Sequence, residues 1–305
     1  MATALRPKLS LRFSVSLVVR KHCWIPALTT FAFAVLLATA FTAHTPMLLV
    51  LAIAALLPCS SFVWGYSTHA VKDISWRKLT HLDRQQYAEV WDSLASSPER
   101  ARAAACGKAD EDEVQRSAEC SVEQLLKIAP ITSQDDVLEI GCGVGRLGRE
   151  LALKCRHWTG ADISANMLAC AAERLRMLSN VSLVQLKEVS LREIAARSFD
   201  LVYTTNMFAH IDQMDRWRYV EEAFRVLRPG GRLYMDNLDL ESDRAWTSFF
   251  LATKIDQPQE RPPYIPTAST ATELVIYAER AGFEHVLPHR GAPLVIVTAV
   301  KPARS

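Results

Sequence analysis

Apolar and polar positions fall into three successive regimes along the chain. From Cys23 to Val71, 49 residues pass without an Asp, Glu, Lys or Arg. Two stretches in that run, Trp24–Ala43 and Met47–Trp64, approach the ~20 apolar residues that span a bilayer core. His44-Thr45-Pro46 interrupts them, and Pro46 suits the first turn of a following helix. A single helix through the whole run would reach ~74 Å at ~1.5 Å per residue, so a helical hairpin is the economical expectation. Pro58 breaks the second stretch and leaves one span plus a re-entrant segment as a variant of it. The second regime, residues 72–115, is charged and helical in tendency. Tyr87, Val90, Trp91 and Leu94 recur at the spacing of one apolar helix face. Pro98 and the run Gly107-Lys-Ala-Asp-Glu-Asp-Glu113 read as loops.

The third regime begins near Ser121 and alternates short apolar runs with helical ones. Asp136–Ile140, Trp158–Asp162, Val181–Leu186, Phe199–Thr204 and Gly231–Asp236 read as strands. Helices are expected over Leu147–Leu153, over Ala165–Leu178 and from the fourth strand through Leu227. Strands separated by helices predict a parallel, doubly wound sheet that binds ligands outside its carboxyl ends. The alternation then breaks. Asn237 to Ala268 is a long connection carrying Trp246, Phe249, Phe250 and Tyr264, residues suited to a core, an acceptor pocket or a membrane surface. Thr270-Ala-Thr-Glu273 forms a capping box for a helix stopping at Gly282. Phe283–Leu287 and Pro293–Val300 predict a hairpin on one sheet edge. The resulting organisation is a basic segment over 1–22, a membrane segment over 23–71, a linker and helical cap over 72–120, and an α/β domain over 121–305.

Charge and composition narrow the function. The chain has 35 Lys and Arg against 33 Asp and Glu, so it lacks the basic excess of a protein that wraps nucleic acid. A hydrophobic fraction of 50% excludes global disorder. Arg6, Lys8, Arg12, Arg20 and Lys21 precede the uncharged run, and Lys72, Arg77, Lys78 and Arg84 follow it. The connecting turn has no positive charge, so the positive-inside rule puts both ends in the cytoplasm. Three other origins of the run stay open: a signal peptide cleaved after Ala38-Thr39-Ala40, an organellar (mitochondrial) targeting segment, and a buried helical pair. The seven cysteines include no C-x-x-C pair, and the histidines show no ligand spacing, so neither zinc nor a disulfide framework is expected.

The candidate chemistry begins at Glu139-Ile-Gly141-Cys-Gly143-Val-Gly145, at a strand-to-helix junction. Glycines there permit positive φ and a close backbone approach to a ligand. Asp162, at the end of the next strand, can accept both hydroxyl hydrogens of a ribose. Together these predict a nucleoside cofactor without naming it. Gly143 to Gly148 also satisfies G-x-G-x-x-G, so a dinucleotide is admissible.

Four segments in order make the resemblance specific: Val137–Gly145, Gly160-Ala-Asp-Ile-Ser164, Phe199–Tyr203, and Phe224-Arg-Val-Leu-Arg-Pro-Gly-Gly-Arg-Leu-Tyr234. Over residues 120–300 the chain resembles the class I S-adenosylmethionine-dependent methyltransferases. The resemblance implies a seven-stranded, mostly parallel Rossmann-like sheet with an antiparallel last strand. It implies S-adenosylmethionine as cofactor, with Glu139, Gly141, Gly143 and Gly145 along its methionine and adenosine parts. Asp162 would hold the ribose, and Ile163 and Met167 would flank the adenine. One departure stands out: after the third strand Lys187 occupies the place of the family's adenine-binding Asp, so Glu188 is expected to substitute, or the backbone alone to serve. The segment Thr204-Thr-Asn206-Met-Phe-Ala-His210 would border the transferred methyl, with Asn206 against the cofactor. His210 is the candidate base for a hydroxyl acceptor, and Asp236 a second candidate at the end of the fifth strand. The combined expectation is a membrane-anchored methyltransferase on the cytoplasmic face, acting on a small hydrophobic or lipid-like acceptor. The alternative is a catalytically silent, cofactor-binding membrane scaffold or sensor.

Overall fold

The computed structural model describes residues 82–254, 262–291 and 293–303. The stretches 24–43 and 47–64, and the hairpin expected of them, lie outside the described residues. Among those described, no helix is long and apolar enough to cross a membrane.

Three helices precede the sheet: α1 (Tyr87–Leu94), α2 (Pro98–Cys106) and α3 (Glu111–Ile128). Pro98 and Glu111 were expected in loops and instead open helices. Proline is tolerated in a first turn because its missing N–H would have no helical partner there, and Ser97 caps that turn by accepting from Arg100 N–H. Asp110 caps α3 and Glu111, Asp112 and Glu113 fill its first turn, a favourable placement for acidic charge. The expected boundary between residues 120 and 121 falls inside α3. Val114, Ala118, Val122 and Leu125 form one buried stripe along it that continues across that point.

The sheet contains β1 (Asp136–Ile140), β2 (His157–Asp162), β3 (Val181–Gln185), β4 (Phe199–Thr204), β5 (Leu227–Leu238), β6 (Glu284–Gly291) and β7 (Leu294–Val300). Their order is β3-β2-β1-β4-β5-β7-β6. All pair in parallel except β7, which runs antiparallel to both β5 and β6, as the resemblance implies. The strand reading locates every core strand within a few residues. β5 starts earlier than expected, at Leu227, which pairs with Phe199 before the register shifts and resumes at Leu201–Arg232.

The helices α4 (Gly148–Leu151), α5 (Ala165–Leu175), α6 (Gln213–Val226), α7 (Asp243–Ala252) and α8 (Ala271–Ala281) complete the described elements, with a single 3-10 turn at Phe208–His210. The α4 helix is shorter than the expected Leu147–Leu153. Alternation along the strands sorts the core into two layers. Leu138, Ile140, Val202 and Met235 face α6 and α8, meeting Val220, Ala223, Leu274 and Ala278. Val137, Leu201, Tyr203 and Tyr234 face the other way, against Leu125, Leu151 and Leu175. Each fully buried aliphatic side chain contributes ~1.5–3 kcal/mol. The α8 boundaries match expectation: Thr270 accepts from Glu273 N–H, and Gly282 ends the helix at φ 98°. Lys301, just past β7, is buried and donates to the carbonyls of Phe224 and Leu227.

Candidate active site

The carboxyl ends of β1, β2 and β4 converge on one cleft. Its lining includes Glu139, Gly141, Gly143, Asp162, Ile163, Met167, Asn206 and His210, eight residues singled out from the sequence. Gly145, Glu188 and Asp236 do not line it.

The turn after β1 holds its shape through positive φ at Gly141 (73°), Gly143 (52°) and Gly145 (69°). A Cβ at Gly141 would come within 2.4 Å of Met207 Cγ, so the turn and the β4 loop pack more closely than any side chain allows. Asp162 is fixed rather than free. Its Oδ2 accepts from Gly143 N–H at 2.8 Å and its Oδ1 from Ser164 N–H at 2.9 Å. Burial raises its pKa above the ordinary value, and those N–H donors oppose the rise. Ser164 caps α5 and donates to Asp92 of α1 at 2.6 Å, and Asp92 also accepts from Asn166 N–H. The cap is thereby bonded to the loop that carries Asp162.

Glu139 is 2% exposed and accepts from Tyr203 Oη at 2.6 Å. Trp158 Nε1–H donates to the same hydroxyl at 3.0 Å, completing a Trp–Tyr–Glu relay across three strands. Burial pushes the Glu139 pKa up to about 8, against the pull of the Tyr203 bond and of Arg146. Arg146 also lines the cleft and donates through one guanidinium nitrogen to Ser117 O and Ser121 Oγ of α3. The cleft thus pairs a desolvated carboxyl with a guanidinium, a donor set suited to a ligand carrying both an ammonium and a carboxylate.

The β4 loop is strained at its centre. Asn206 has φ 59°, sparsely populated for a residue with a side chain. Asp236 holds it there by accepting from Asn206 N–H at 2.7 Å. Asp236 is 2% exposed, and burial lifts its pKa to about 7. It therefore supports the loop from behind, a role invisible in its position at the end of a strand.

His210 sits at the cleft wall with its ring edge-on to Trp91, centroids 4.9 Å apart. Its Nδ1 lies 3.1 Å from Tyr264 O. A carbonyl only accepts, so Nδ1 carries the hydrogen and the neutral ring presents a lone pair at Nε2. Burial lowers its pKa to about 4, helped by the positive charges of Arg84 and Arg216, so the ring is neutral at physiological pH.

Glu188 does not reach the cleft. It is exposed, pairs with Arg192 at 2.7 Å, and leaves Leu186 to line the site. The chain turns outward after β3, carrying Lys187 and Glu188 to the surface, so the Lys187 departure leaves the cleft lining untouched. The sequence reading missed Tyr87, Trp91, Arg146 and Tyr219 in the lining, whereas Met207 lies in the β4 loop expected there. Only the spacing of Tyr87 and Trp91 signalled a buried face.

Residues 137–231 match a family profile described as a methyltransferase domain. The chain is 34% identical over 125 residues to methyltransferase GfsG of Streptomyces halstedii, covering 40% of this chain and 44% of that protein. It is 32% identical over 106 residues to a ubiquinone biosynthesis O-methyltransferase of Aromatoleum aromaticum, covering 34% and 44%. The matches span under half the length of these two relatives. The fold is similar to that of N-methyltransferase NodS from Bradyrhizobium japonicum in complex with S-adenosyl-L-homocysteine, with TM-score 0.50, 17% identity, and 71% and 98% of the two chains covered. Over residues 137–231 the α/β segment is thus similar to a methyltransferase domain, and S-adenosylmethionine is its cofactor. The residues present fit that molecule: Asp162 for the ribose diol, and Glu139 and Arg146 for the charged ends of its methionine part.

Proposed function

We propose that the protein is a membrane-anchored methyltransferase that transfers the methyl of S-adenosylmethionine to a hydroxyl on a small hydrophobic or lipid-like acceptor. His210, which lines the same cleft as Glu139 and Asp162 with its Nδ1 committed to the Tyr264 carbonyl, is the observation that carries this reading. When bound, the cofactor supplies an electrophilic methyl on a positively charged sulfur. The chain's own residues do the rest by placement. Asp162 and the glycine turn fix the nucleoside, and Glu139 and Arg146 fix the amino-acid end. Held close and in line, an acceptor oxygen gains much of its rate from orientation alone. His210 Nε2 takes the hydroxyl proton, and the Nδ1–Tyr264 bond keeps the ring turned for that task. Tyr87, Trp91 and Tyr219 give the cleft an apolar wall suited to a flat or hydrocarbon-bearing acceptor.

The anchor rests on the uncharged run from Cys23 to Val71 and its basic flanks, which favour the cytoplasmic face. An organellar membrane is the alternative location. Lipid-like acceptors follow from that location, and one relative is named for a quinone pathway. The test is to incubate detergent-purified full-length protein with methyl-labelled cofactor and a lipid extract of its source membranes. Label in the organic phase is expected. Label confined to water-soluble products would overturn the lipid-like acceptor.

A further inference from the structure

The α7 helix is built inside out. Its small residues face the body: Ala245 is buried, and Ser248 and Ala252 are half-buried. Its large ones face out: Trp246 is 53% exposed, Phe249 47%, Phe250 47% and Leu251 58%. Nine large hydrophobic side chains are exposed among the described residues, and four of them share these ten positions. An ordinary surface helix turns its large apolar residues toward the core. Here Trp246 and Phe249 stack on each other at 5.5 Å instead, and Lys254 Nζ sits 4.3 Å above the Phe250 ring. Arg244 is exposed on the same helix.

The helix is fastened to the body rather than trailing from it. Ser242 caps it by accepting from Ala245 N–H, and Asp239 N–H donates to Pro293 O. It follows the carboxyl end of β5, the strand that supplies Asp236. The chain then returns through Tyr264, whose carbonyl orients His210.

We infer that α7 lies on a bilayer surface bearing anionic headgroups, with its aromatic face in the interface and Arg244 and Lys254 at headgroup level. This rests on the anchoring reading. If residues up to Val71 are in a membrane, ten residues separate it from Leu82, a reach of ~35 Å when extended. A patch of Trp, Phe and Leu edged by cations is the chemistry of an interfacial helix. The helix follows the carboxyl end of β5, and the cleft lies at the carboxyl ends of β1, β2 and β4, so the edge of the sheet that bears the cleft is turned to the bilayer and an apolar acceptor has a short path into it.

The test uses the full chain reconstituted in vesicles of phosphatidylcholine and phosphatidylglycerol. The Trp246 emission is isolated as the difference between wild type and Trp246→Phe, and the Trp24 emission likewise with Trp24→Phe. Bromine near the headgroup end of the lipid chains should remove the greater part of the Trp246 signal, and aqueous iodide should quench it little. Replacing the anionic lipid with phosphatidylcholine, or introducing Phe249→Ser with Phe250→Ser, should reverse that pattern while leaving cofactor affinity unchanged. Trp246 open to iodide while Trp24 is quenched by lipid would overturn the α7 assignment and spare the anchor. Trp246 shielded from both quenchers would also overturn it, because another protein surface then covers the helix. If Trp24 escapes the lipid and Trp246 does not, the anchoring reading fails and the α7 contact stands alone.

Discussion

The Tyr203 hydroxyl donates to Glu139 Oε2 at 2.6 Å while itself accepting from Trp158 Nε1–H. One phenol on β4 therefore satisfies an indole on β2 and holds the cleft's desolvated carboxyl on β1. In Tyr203→Phe, Glu139 loses the donor that opposes its rise in pKa, and Trp158 loses its acceptor. The expected result is a stability loss of ~1–3 kcal/mol with weaker cofactor binding. Denaturant unfolding and calorimetric titration would check it; unchanged stability and affinity would remove the relay from the account.

Glu139 and Asp236 should make the ligand-free protein less stable as pH rises. Unfolded, their carboxyls ionise near 4.5 and 3.8; folded, they hold protons to about 8 and about 7. Between those limits the folded state binds more protons, so stability falls with rising pH, by up to ~1.4 kcal/mol per pH unit for each proton. Glu139→Gln should flatten that slope above pH 5. A cation placed beside Glu139 favours its ionised form, so cofactor binding near neutral pH should release a proton. Calorimetry in buffers of different ionisation enthalpy would detect it in wild type and not in the variant.

His210 should act as a base without titrating in the physiological range. Its pKa of about 4 keeps the ring neutral from pH 5 upward, so activity should lack a His210 inflection between pH 5 and 8 and fall as pH drops through about 4. His210→Gln keeps a donor for Tyr264 O and removes the Nε2 base. The turnover number should fall ~10²–10⁴-fold with cofactor affinity nearly unchanged. Full turnover in that variant would reduce His210 to a structural residue.

Gly141→Ala tests the tight junction between the glycine turn and the β4 loop. The new methyl meets Met207 at 2.4 Å in a backbone with φ 73°, so both cofactor binding and stability should suffer. Gly107→Ala provides the comparison. Gly107 has nearly the same φ, 72°, and open space around it, so it should show only the backbone cost of ~1–2 kcal/mol and full cofactor affinity.

What the sequence disclosed was local. The turn at Gly141–Gly145, the acid at Asp162 and the capped helix after Thr270 each depend on the conformation of a few neighbouring residues, and each lies where the residue types require. Roles set by distant partners were hidden. Asp236 looked catalytic until its bond to Asn206 appeared. Glu188 looked close enough to replace an adenine ligand, but the chain turns outward one residue too soon. Arg216 gave no signal at all, yet it is 1% exposed and ties Phe208 O, Ser269, Thr267 and Glu273 together beneath the His210 turn. Its use of Glu273 also draws that side chain toward the core, whereas the capping box would have turned it back toward Thr270.

The antiparallel β7 slots between β5 and β6, and it is the last of the seven strands to leave the ribosome. Until it arrives, the β5 edge that carries Asp236 has no partner on that side, and Lys301 cannot reach the carbonyls of Phe224 and Leu227. A nascent chain thus displays an unpaired β5 edge from the synthesis of Leu238 until that of Leu294, a state open to edge-to-edge pairing with other chains. Completion of the sheet waits on a contact between distant parts of the sequence, which slows folding relative to local pairing. Yield in cells should consequently depend on chaperone supply more than the stability of the finished fold suggests.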